Sequence, residues 1–176
     1  GEESFGYLPY DKVRDKDAPA SICLICEIAA WAKDQGKTLY DLLLDIYKEY
    51  GFQKEAAVSV TKPGKSGADE IKKMMEDFRA CPPSEIAGSK VVCVKDYKSL
   101  KQYADGKESA LDMPTTANVL QWFTEDGMKI SVRPSGTEPK IKFYCEVPVP
   151  DFDGNYEAAN AKADARIADI KKSLGL

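Results

Sequence analysis

The hydrophobic period changes once along this chain, near residue 51, and that change limits what the chain can fold into. Before Gly51, apolar residues recur every three or four positions; after it they alternate with polar ones, as in Ala57–Val60. The first pattern is typical of amphipathic helices and the second of strands with one buried face. The composition, 43% hydrophobic and 31% charged, is that of a globular protein and excludes collagen-like or disordered chains. The sequence therefore predicts a helical part followed by a part that contains a sheet.

Two helices are predicted before this change of period. One spans Ala18–Gln35 and has apolar side chains over most of its circumference, so it needs burial on more than one side. The other spans Leu39–Tyr50, where Thr38 and Asp41 have the spacing of a capping box. Two such helices cannot form a core alone. We therefore interpret residues 1–51 as the helical remnant of a larger α/β domain, and we expect this remnant to self-associate.

The pattern after residue 51 predicts an α+β domain over residues 56–176. Helices are predicted at Ser66–Arg79 and Tyr156–Leu174. Strands are predicted at Ala57–Val60, Lys90–Val94, Asn118–Thr124, Met128–Val132 and Lys140–Val147, the last of them ended by Pro148. The segment Asp96–Met113 is polar and shows no clear pattern. We expect about four antiparallel strands covered on one face by the two helices.

Histidine and cysteine usage limits the chemistry. The chain contains no histidine, which excludes His-activated nucleophiles, His general bases and His metal ligands. Its five cysteines are an odd and scattered set, which favours a reducing, cytoplasmic location over a disulfide framework. Cys23 and Cys26 form a C-x-x-C pair, but no second pair follows to complete a zinc site. Because both lie within the apolar pattern of the first helix, we predict that they are buried core residues.

Charge and hydropathy argue against two classes of partner. Lys and Arg number 25 and Asp and Glu number 29, for a net charge of −4, whereas a nucleic-acid site needs a basic face. No apolar run approaches the ~18–20 residues that a membrane-spanning helix needs. We therefore expect neither nucleic acid nor a membrane as a partner.

One loop, Arg133–Pro139, has the residue types of an anion-binding site. Arg133 offers a planar fork that suits phosphate oxygens, and Ser135 and Thr137 offer hydroxyl donors. Gly136 is expected to let backbone amides turn toward a ligand. The surrounding segment carries a charge of +3, from Lys129, Arg133, Lys140 and Lys142 less Glu138. From the residues alone, two interpretations remain open: a phosphate-binding loop and a solvated hairpin loop.

The string from Arg133 to Tyr144, RPSGTEPKIKFY, closely resembles the phosphate-binding loop of the α-D-phosphohexomutases, which include phosphoglucomutases and phosphomannomutases. The opening residues Gly1–Gly6, GEESFG, resemble the sugar-recognition loop in the third domain of the same family. The two motifs stand in the expected order and at the expected separation. Arg14–Asp17 and Ile46–Gly51 are similar to the branch of phosphoglucomutases that also acts as phosphopentomutase. The resemblance spans essentially the whole chain.

The resemblance implies a division into domains. Residues 1–51 would be the C-terminal remnant of the family's third domain, and residues 56–176 would be its fourth, phosphate-binding domain with a TBP-like α+β fold. The chain begins with glycine instead of methionine. We therefore expect a piece of a longer protein, whose N-terminal domains would be partners of this part.

The resemblance also implies an activity for the whole protein. Family members interconvert a sugar 1-phosphate and a 6- or 5-phosphate through a bisphosphate intermediate. A phosphoserine in the first domain donates the phosphoryl group, Mg²⁺ is held by an acidic loop in the second, and glucose 1,6-bisphosphate is an activator. Neither the serine motif nor the Asp-Gly-Asp metal loop occurs in this sequence, so we expect no metal site and no activity in this chain alone. The alternative is a non-catalytic anion-binding or regulatory module.

By position, the resemblance implies roles for three groups of residues. The phosphate that is not being transferred would be held by Arg133, Ser135, Gly136, Thr137 and Lys140. The sugar hydroxyls would be contacted by Glu2 and Ser4. Lys16 would lie near the substrate, as a phosphate contact or a proton shuttle, and it is the one possible catalytic residue of this chain.

Overall fold

The computed structural model describes residues 6–64 and 66–176. Its contacts divide the chain into two compact units. The first comprises the described residues up to Gly51 together with Phe152–Tyr156, and the second comprises Phe52–Asp151 and Glu157–Leu176. None of the helices in the described ranges combines the length and the apolar character that a membrane span requires. The assignment of the two parts to family domains stays a prediction.

The first unit contains the two predicted helices. α1 spans Ala18–Asp34 and begins where the Asp17 carboxylate accepts a hydrogen bond from the amide three residues on, at 3.0 Å. α2 spans Leu39–Tyr50, and its capping box is formed. The Asp41 amide donates to the Thr38 hydroxyl at 3.1 Å, and the Thr38 amide donates to the Asp41 carboxylate at 2.7 Å. Each helix therefore begins where the local sequence supplies a cap.

Most of α1 is exposed to solvent. Ile22 keeps 61% of its surface exposed and Trp31 keeps 57%, while Ala32 is the one buried residue of this helix. Cys23 and Cys26 are exposed, so the prediction that they are core residues is wrong. The reason is that α2 and the segment around Tyr7, the described parts of this unit that contact α1, leave most of its circumference uncovered. Self-association of this unit stays a prediction.

α2 packs aromatic side chains against the distant segment Phe152–Tyr156. The Tyr47 ring meets the Phe152 ring edge to face, with 5.7 Å between the ring centroids, and the Tyr40 and Tyr156 rings lie 6.1 Å apart. Burial raises the pKa of the Tyr47 hydroxyl above its ordinary value. These ring contacts explain why a segment far along the chain belongs to the first unit.

The second unit is an antiparallel sheet with two helices, the predicted α+β class. Its strands are β1 (Phe52–Thr61), β2 (Glu85–Ile86), β3 (Ser89–Asp96), β4 (Lys101–Ala104), β5 (Lys107–Ala110), β6 (Leu120–Thr124), β7 (Lys129–Pro134) and β8 (Lys140–Val149). Its helices are α3 (Gly67–Ala80) and α4 (Tyr156–Leu174). The strand order is β1-β8-β7-β6-β3-β4-β5, and β2 pairs with β3.

The sheet has eight strands, where about four were predicted. β4 and β5 form a hairpin inside the segment that showed no pattern. All of β5 is exposed, so no buried face imposes alternation on its residues. Pro148 does not end β8, which continues to Val149. Pro148 lies beyond Glu146, which is the last β8 residue that pairs with β7. The N–H group that proline lacks is therefore not needed for a hydrogen bond to β7.

The start of α3 also differs from the prediction. Ser66 makes no side-chain capping hydrogen bond, and the helix begins at Gly67. A Cβ on Gly67 would lie 1.8 Å from the carbonyl oxygen of Lys62. Glycine is required here because two backbone segments approach closely.

One face of the sheet forms the core beneath α3 and α4. Trp122 on β6, Ile130 on β7 and Phe143 on β8 are fully buried. Phe78 of α3 lies over two of them, with its ring centroid 5.1 Å from that of Trp122 and 6.1 Å from that of Phe143. The buried residues of α4 are Ala159, Ala163, Ile167 and Ile170. Because strand residues alternate between faces, the intervening side chains lie on the opposite, open face of the sheet.

A polar network ties α4 to the turn between β6 and β7. The Asp126 carboxylate accepts hydrogen bonds from the Ser89 hydroxyl at 2.7 Å and the Thr124 hydroxyl at 2.6 Å, and it pairs with Arg166. Arg166 also donates to the Ala87 carbonyl. Burial acts to raise the pKa of Asp126, but the hydrogen bonds from Thr124, Ser89 and Arg166 outweigh it and hold the pKa below its ordinary value.

We expect Asp126→Asn to lower the free energy of unfolding at pH 7 by about 1–2 kcal/mol. Hydrogen bonds to a charged group contribute ~1.5–3 kcal/mol, which we discount because the side chain is 40% exposed. Since the folded pKa lies below the unfolded value of about 3.9, this stability is present above that pH and is lost as the pH falls through the folded pKa.

Urea unfolding at steps from pH 7 down to about pH 2 measures this effect. The difference between Asp126→Asn and the parent chain should shrink as the pH falls. Asp169→Asn, which changes an exposed carboxylate of α4, is the matched control and should cost less than about 0.5 kcal/mol. A difference that persists in acid would show that the charge of Asp126 is not what stabilises the network.

Candidate phosphate-binding site

The loop predicted to bind phosphate joins β7 to β8. The register of this hairpin pairs Arg133 with Lys142, and Pro134 with Ile141. Ile141 and Phe143 are fully buried on the core face. Because side chains alternate along β8, Lys142 lies on the open face beside Arg133. The hairpin register therefore brings together two cations that are nine positions apart in the sequence.

Short hydrogen bonds close the loop. The Ser135 amide donates to the Lys140 carbonyl at 2.8 Å, and the Lys140 amide donates to the Glu138 carbonyl at 2.7 Å. The hydroxyl oxygen of Ser135 accepts from the amides of Thr137 and Glu138, at 3.4 and 3.3 Å. Two consecutive amides thus converge on one point, as they do in anion-binding nests.

An ion pair inside the loop neutralises the positive charge of one of its cations. Lys140 Nζ lies 2.9 Å from the Glu138 carboxylate. The hydrogen bond from Lys140 holds the pKa of Glu138 below its ordinary value, so the carboxylate is ionised at neutral pH. Arg133 has no ion-pair partner among the described residues and is exposed. Arg133 is therefore the group best placed to attract an anion.

An open cleft of about 510 Å³ runs along this loop. It is lined by residues 133–138 and by Lys140, Lys142 and Tyr144. The structure thus brings together all five residues that were predicted to hold phosphate, and their binding of phosphate stays a prediction. Lys142 and Tyr144 were not predicted. Their alternation with buried neighbours on β8 was the available signal, since it sets them on the same face as Lys140.

Gly136 does not use the left-handed backbone conformation that glycine favours, and its role toward a ligand stays a prediction. It is not among the described glycines with a positive φ. A Cβ added to it would meet no atom within 4 Å. The fold of this loop therefore does not require glycine at this position, and the absent side chain leaves open space above the loop.

The other predicted site residues lie elsewhere in the chain. Glu2 and Ser4 fall outside the described residues. Lys16 belongs to the first unit, where it is exposed and its aliphatic carbons pass over Gly6. It lines an apolar cleft of about 870 Å³ together with Tyr7 and residues of α1. Among the described residues that line this cleft, Lys16 is the only one that carries a charge at neutral pH.

A metal site finds no support in the described ranges. In residues 6–64 and 66–176, no three His, Cys, Asp or Glu side chains are grouped so that they could hold a metal ion. The described residues therefore do not fit a magnesium ion.

Residues 55–170 match the family model of the phosphoglucomutase/phosphomannomutase C-terminal domain, and they make up more than half of the chain. The chain belongs to the phosphoglucomutase/phosphomannomutase family. The matched range contains the whole cleft along the β7–β8 loop. The predicted family is thereby confirmed.

Two phosphoglucomutases from staphylococci illustrate the similarity within this family. That of Staphylococcus haemolyticus is 42% identical over 154 residues, which cover 86% of this chain and 28% of the relative. That of Staphylococcus aureus strain MRSA252 is 41% identical over 162 residues, which cover 91% of this chain and 29% of the relative. The chain therefore spans less than a third of the length of these curated relatives.

A solved structure shares the fold. It is the open form of the exocytosis-sensitive phosphoprotein pp63/parafusin, a phosphoglucomutase from Paramecium. The alignment has a TM-score of 0.54 and 20% sequence identity, and covers 100% of this chain and 31% of that one. The predicted fold class is confirmed, with the larger number of strands described above.

Proposed function

We propose that this chain is the phosphate-holding C-terminal part of a phosphoglucomutase-type enzyme. The whole enzyme would interconvert a sugar 1-phosphate and a 6- or 5-phosphate through a bisphosphate intermediate. The observation that carries the proposal is that one cleft within the matched domain contains all five predicted phosphate ligands, Arg133, Ser135, Gly136, Thr137 and Lys140. We further propose that residues 1–51 derive from the preceding, sugar-recognising domain of that enzyme, and that it works in the cytoplasm.

The cleft would hold the phosphate that is not transferred. Arg133 would grip two phosphate oxygens with its planar fork, and Lys142 beside it would add a second positive charge. The amides of Thr137 and Glu138, which now donate to Ser135, would donate to a third oxygen. Fixing one end of the substrate in this way orients the other end for transfer, and orientation accounts for a large share of catalysis in phosphoryl transfer.

The remaining roles rest on the family resemblance. Glu2 and Ser4 would contact the sugar hydroxyls, and Lys16 would contact the substrate or shuttle a proton. Magnesium and the activator glucose 1,6-bisphosphate would be bound by parts of the enzyme outside these residues. The sugar phosphate substrate and the N-terminal domains are accordingly the partners we propose for this chain.

We expect the chain to bind inorganic phosphate with a Kd near 1 mM, about −4 kcal/mol. Arg133→Ala should weaken this affinity by roughly 10- to 100-fold, since a charge-assisted hydrogen bond contributes ~1.5–3 kcal/mol. An NMR titration with phosphate at fixed ionic strength measures both values. The amide shifts should be confined to residues 133–142.

Lys107→Ala is the matched control for this titration. It also removes an exposed cation, from β5, and should change the phosphate Kd by less than about twofold because an exposed charge at a distance is screened. Shifts that spread outside the loop, or an affinity that Arg133→Ala leaves unchanged, would rule out this site.

A further inference from the structure

A second cleft, of about 210 Å³, lies between α3 and the phosphate loop, entirely within the second unit. We call it the α3 groove; its polar lining residues are Lys72, Glu76, Arg79, Lys98, Asn118, Ser135 and Glu138. It shares Pro134, Ser135 and Glu138 with the cleft described above. The two clefts therefore lie on either side of the same loop residues.

Arg79 is held rigidly at the wall of this groove. Its Nε donates to Asp96 at 3.1 Å, and its two terminal nitrogens donate to Asn118 Oδ1 at 2.6 Å and to the Met75 carbonyl at 3.4 Å. These bonds use three of the five guanidinium N–H groups. Two N–H groups of Arg79 and the amide NH₂ of Asn118 have no acceptor among the described residues. The groove thus has preorganised donors that no protein group uses.

Two lysines add positive charge to the α3 groove. Lys72 and Lys98 have no ion-pair partner among the described residues, and both are exposed. Arg79 is neutralised by Asp96, and Glu138 by Lys140. Glu76 is the one remaining acid of the lining, so the unpaired charges of the groove sum to +1. The balance favours an anion.

The floor of the groove is apolar, because the buried side chains of Ile71 and Met75 reach it. Pro134 and Pro139 form its loop side. A volume of about 210 Å³ is below the ~300–1,000 Å³ of sites for drug-sized ligands. A nucleotide is therefore too large, whereas a small acid with a short hydrocarbon body matches both the donors and the floor.

We propose that the α3 groove binds a second anion, a small organic carboxylate with a short apolar body, and that its occupancy weakens phosphate binding at the loop. The coupling is negative because two anions flank the same residues, Ser135 and Glu138, and like charges repel. By linkage, phosphate at the loop weakens anion binding in the groove by the same factor.

The test uses glutarate as the probe and the full chain carrying Arg133→Ala, so that its outcome does not depend on the phosphate site. Glutarate should shift the amides of Lys72, Arg79, Lys98 and Asn118 in an NMR titration at fixed ionic strength. Adding Lys72→Gln and Lys98→Gln should raise the glutarate Kd about fivefold or more, whereas Glu76→Gln should lower it about twofold.

The matched control is Lys73→Gln with Lys172→Gln, which removes two exposed helix lysines that do not line the groove and should change the glutarate Kd by less than about twofold. Equal effects of the two lysine pairs, or saturable shifts elsewhere, would overturn the site. In the chain with Arg133 intact, saturating glutarate should raise the phosphate Kd about two- to fivefold. An unchanged phosphate Kd would overturn the coupling.

Discussion

Trp122→Ala should destabilise the second unit by about 3–5 kcal/mol, a large share of the ~5–15 kcal/mol that stabilises a typical domain. The side chain is fully buried, and its ring lies 5.1 Å from that of Phe78, which links the sheet to α3. Removing it leaves a cavity that helix and sheet cannot close without losing other contacts. Urea unfolding followed by far-ultraviolet circular dichroism measures the loss.

The second tryptophan of the chain supplies a matched control. Trp31 on α1 is 57% exposed, so Trp31→Ala should change the stability of the second unit by less than about 0.5 kcal/mol. Trp122→Phe should cost less than Trp122→Ala, because the indole Nε1 of Trp122 is buried without a hydrogen-bond partner among the described residues. Equal effects of Trp31→Ala and Trp122→Ala would contradict the packing described for the sheet.

The chain alone should show no mutase turnover above background. Phosphoryl transfer of this type needs a side chain that accepts and donates the phosphoryl group and a cation that neutralises the developing charge. The described residues offer no group of metal ligands, and the family match covers a C-terminal domain. A coupled assay with glucose 1-phosphate, Mg²⁺ and glucose 1,6-bisphosphate tests this.

Full-length phosphoglucomutase from Staphylococcus aureus is the positive control for the same assay. The phosphate titration of the chain, run on the same preparation, shows whether the inactive protein is folded at its loop. Turnover that survives repurification and is lost in Arg133→Ala would contradict the expectation, because it would locate the whole reaction in these residues.

Features specified within a few residues could be predicted from the sequence. The capping box of Thr38 and Asp41 forms as predicted, because its two hydrogen bonds join neighbours along the chain. The β7–β8 hairpin and its loop were also predictable, because strong alternation specifies each strand and proline restricts the loop. The cluster of candidate phosphate ligands follows from that hairpin.

Features that depend on distant segments could not be predicted in this way. The β4–β5 hairpin is exposed, so no burial pattern marks it. Cys23 and Cys26 lie in an apolar helix, but their burial depends on which elements cover it, and the sequence of the helix does not encode this. Gly67 is required by the Lys62 carbonyl and has no role as a turn residue that its neighbours would reveal.

The sequence by itself determined the family, the α+β class and the loop that carries the candidate phosphate ligands, because these depend on local strings and on hydrophobic period. Only the tertiary structure decided which side chains share a cleft. Strand pairing sets Lys142 beside Arg133, the Glu138 carboxylate offsets Lys140, and the packing of α3 against the loop forms the α3 groove. The α3 groove joins residues that are far apart in the chain, such as Arg79 and Ser135, and no local pattern contains that information.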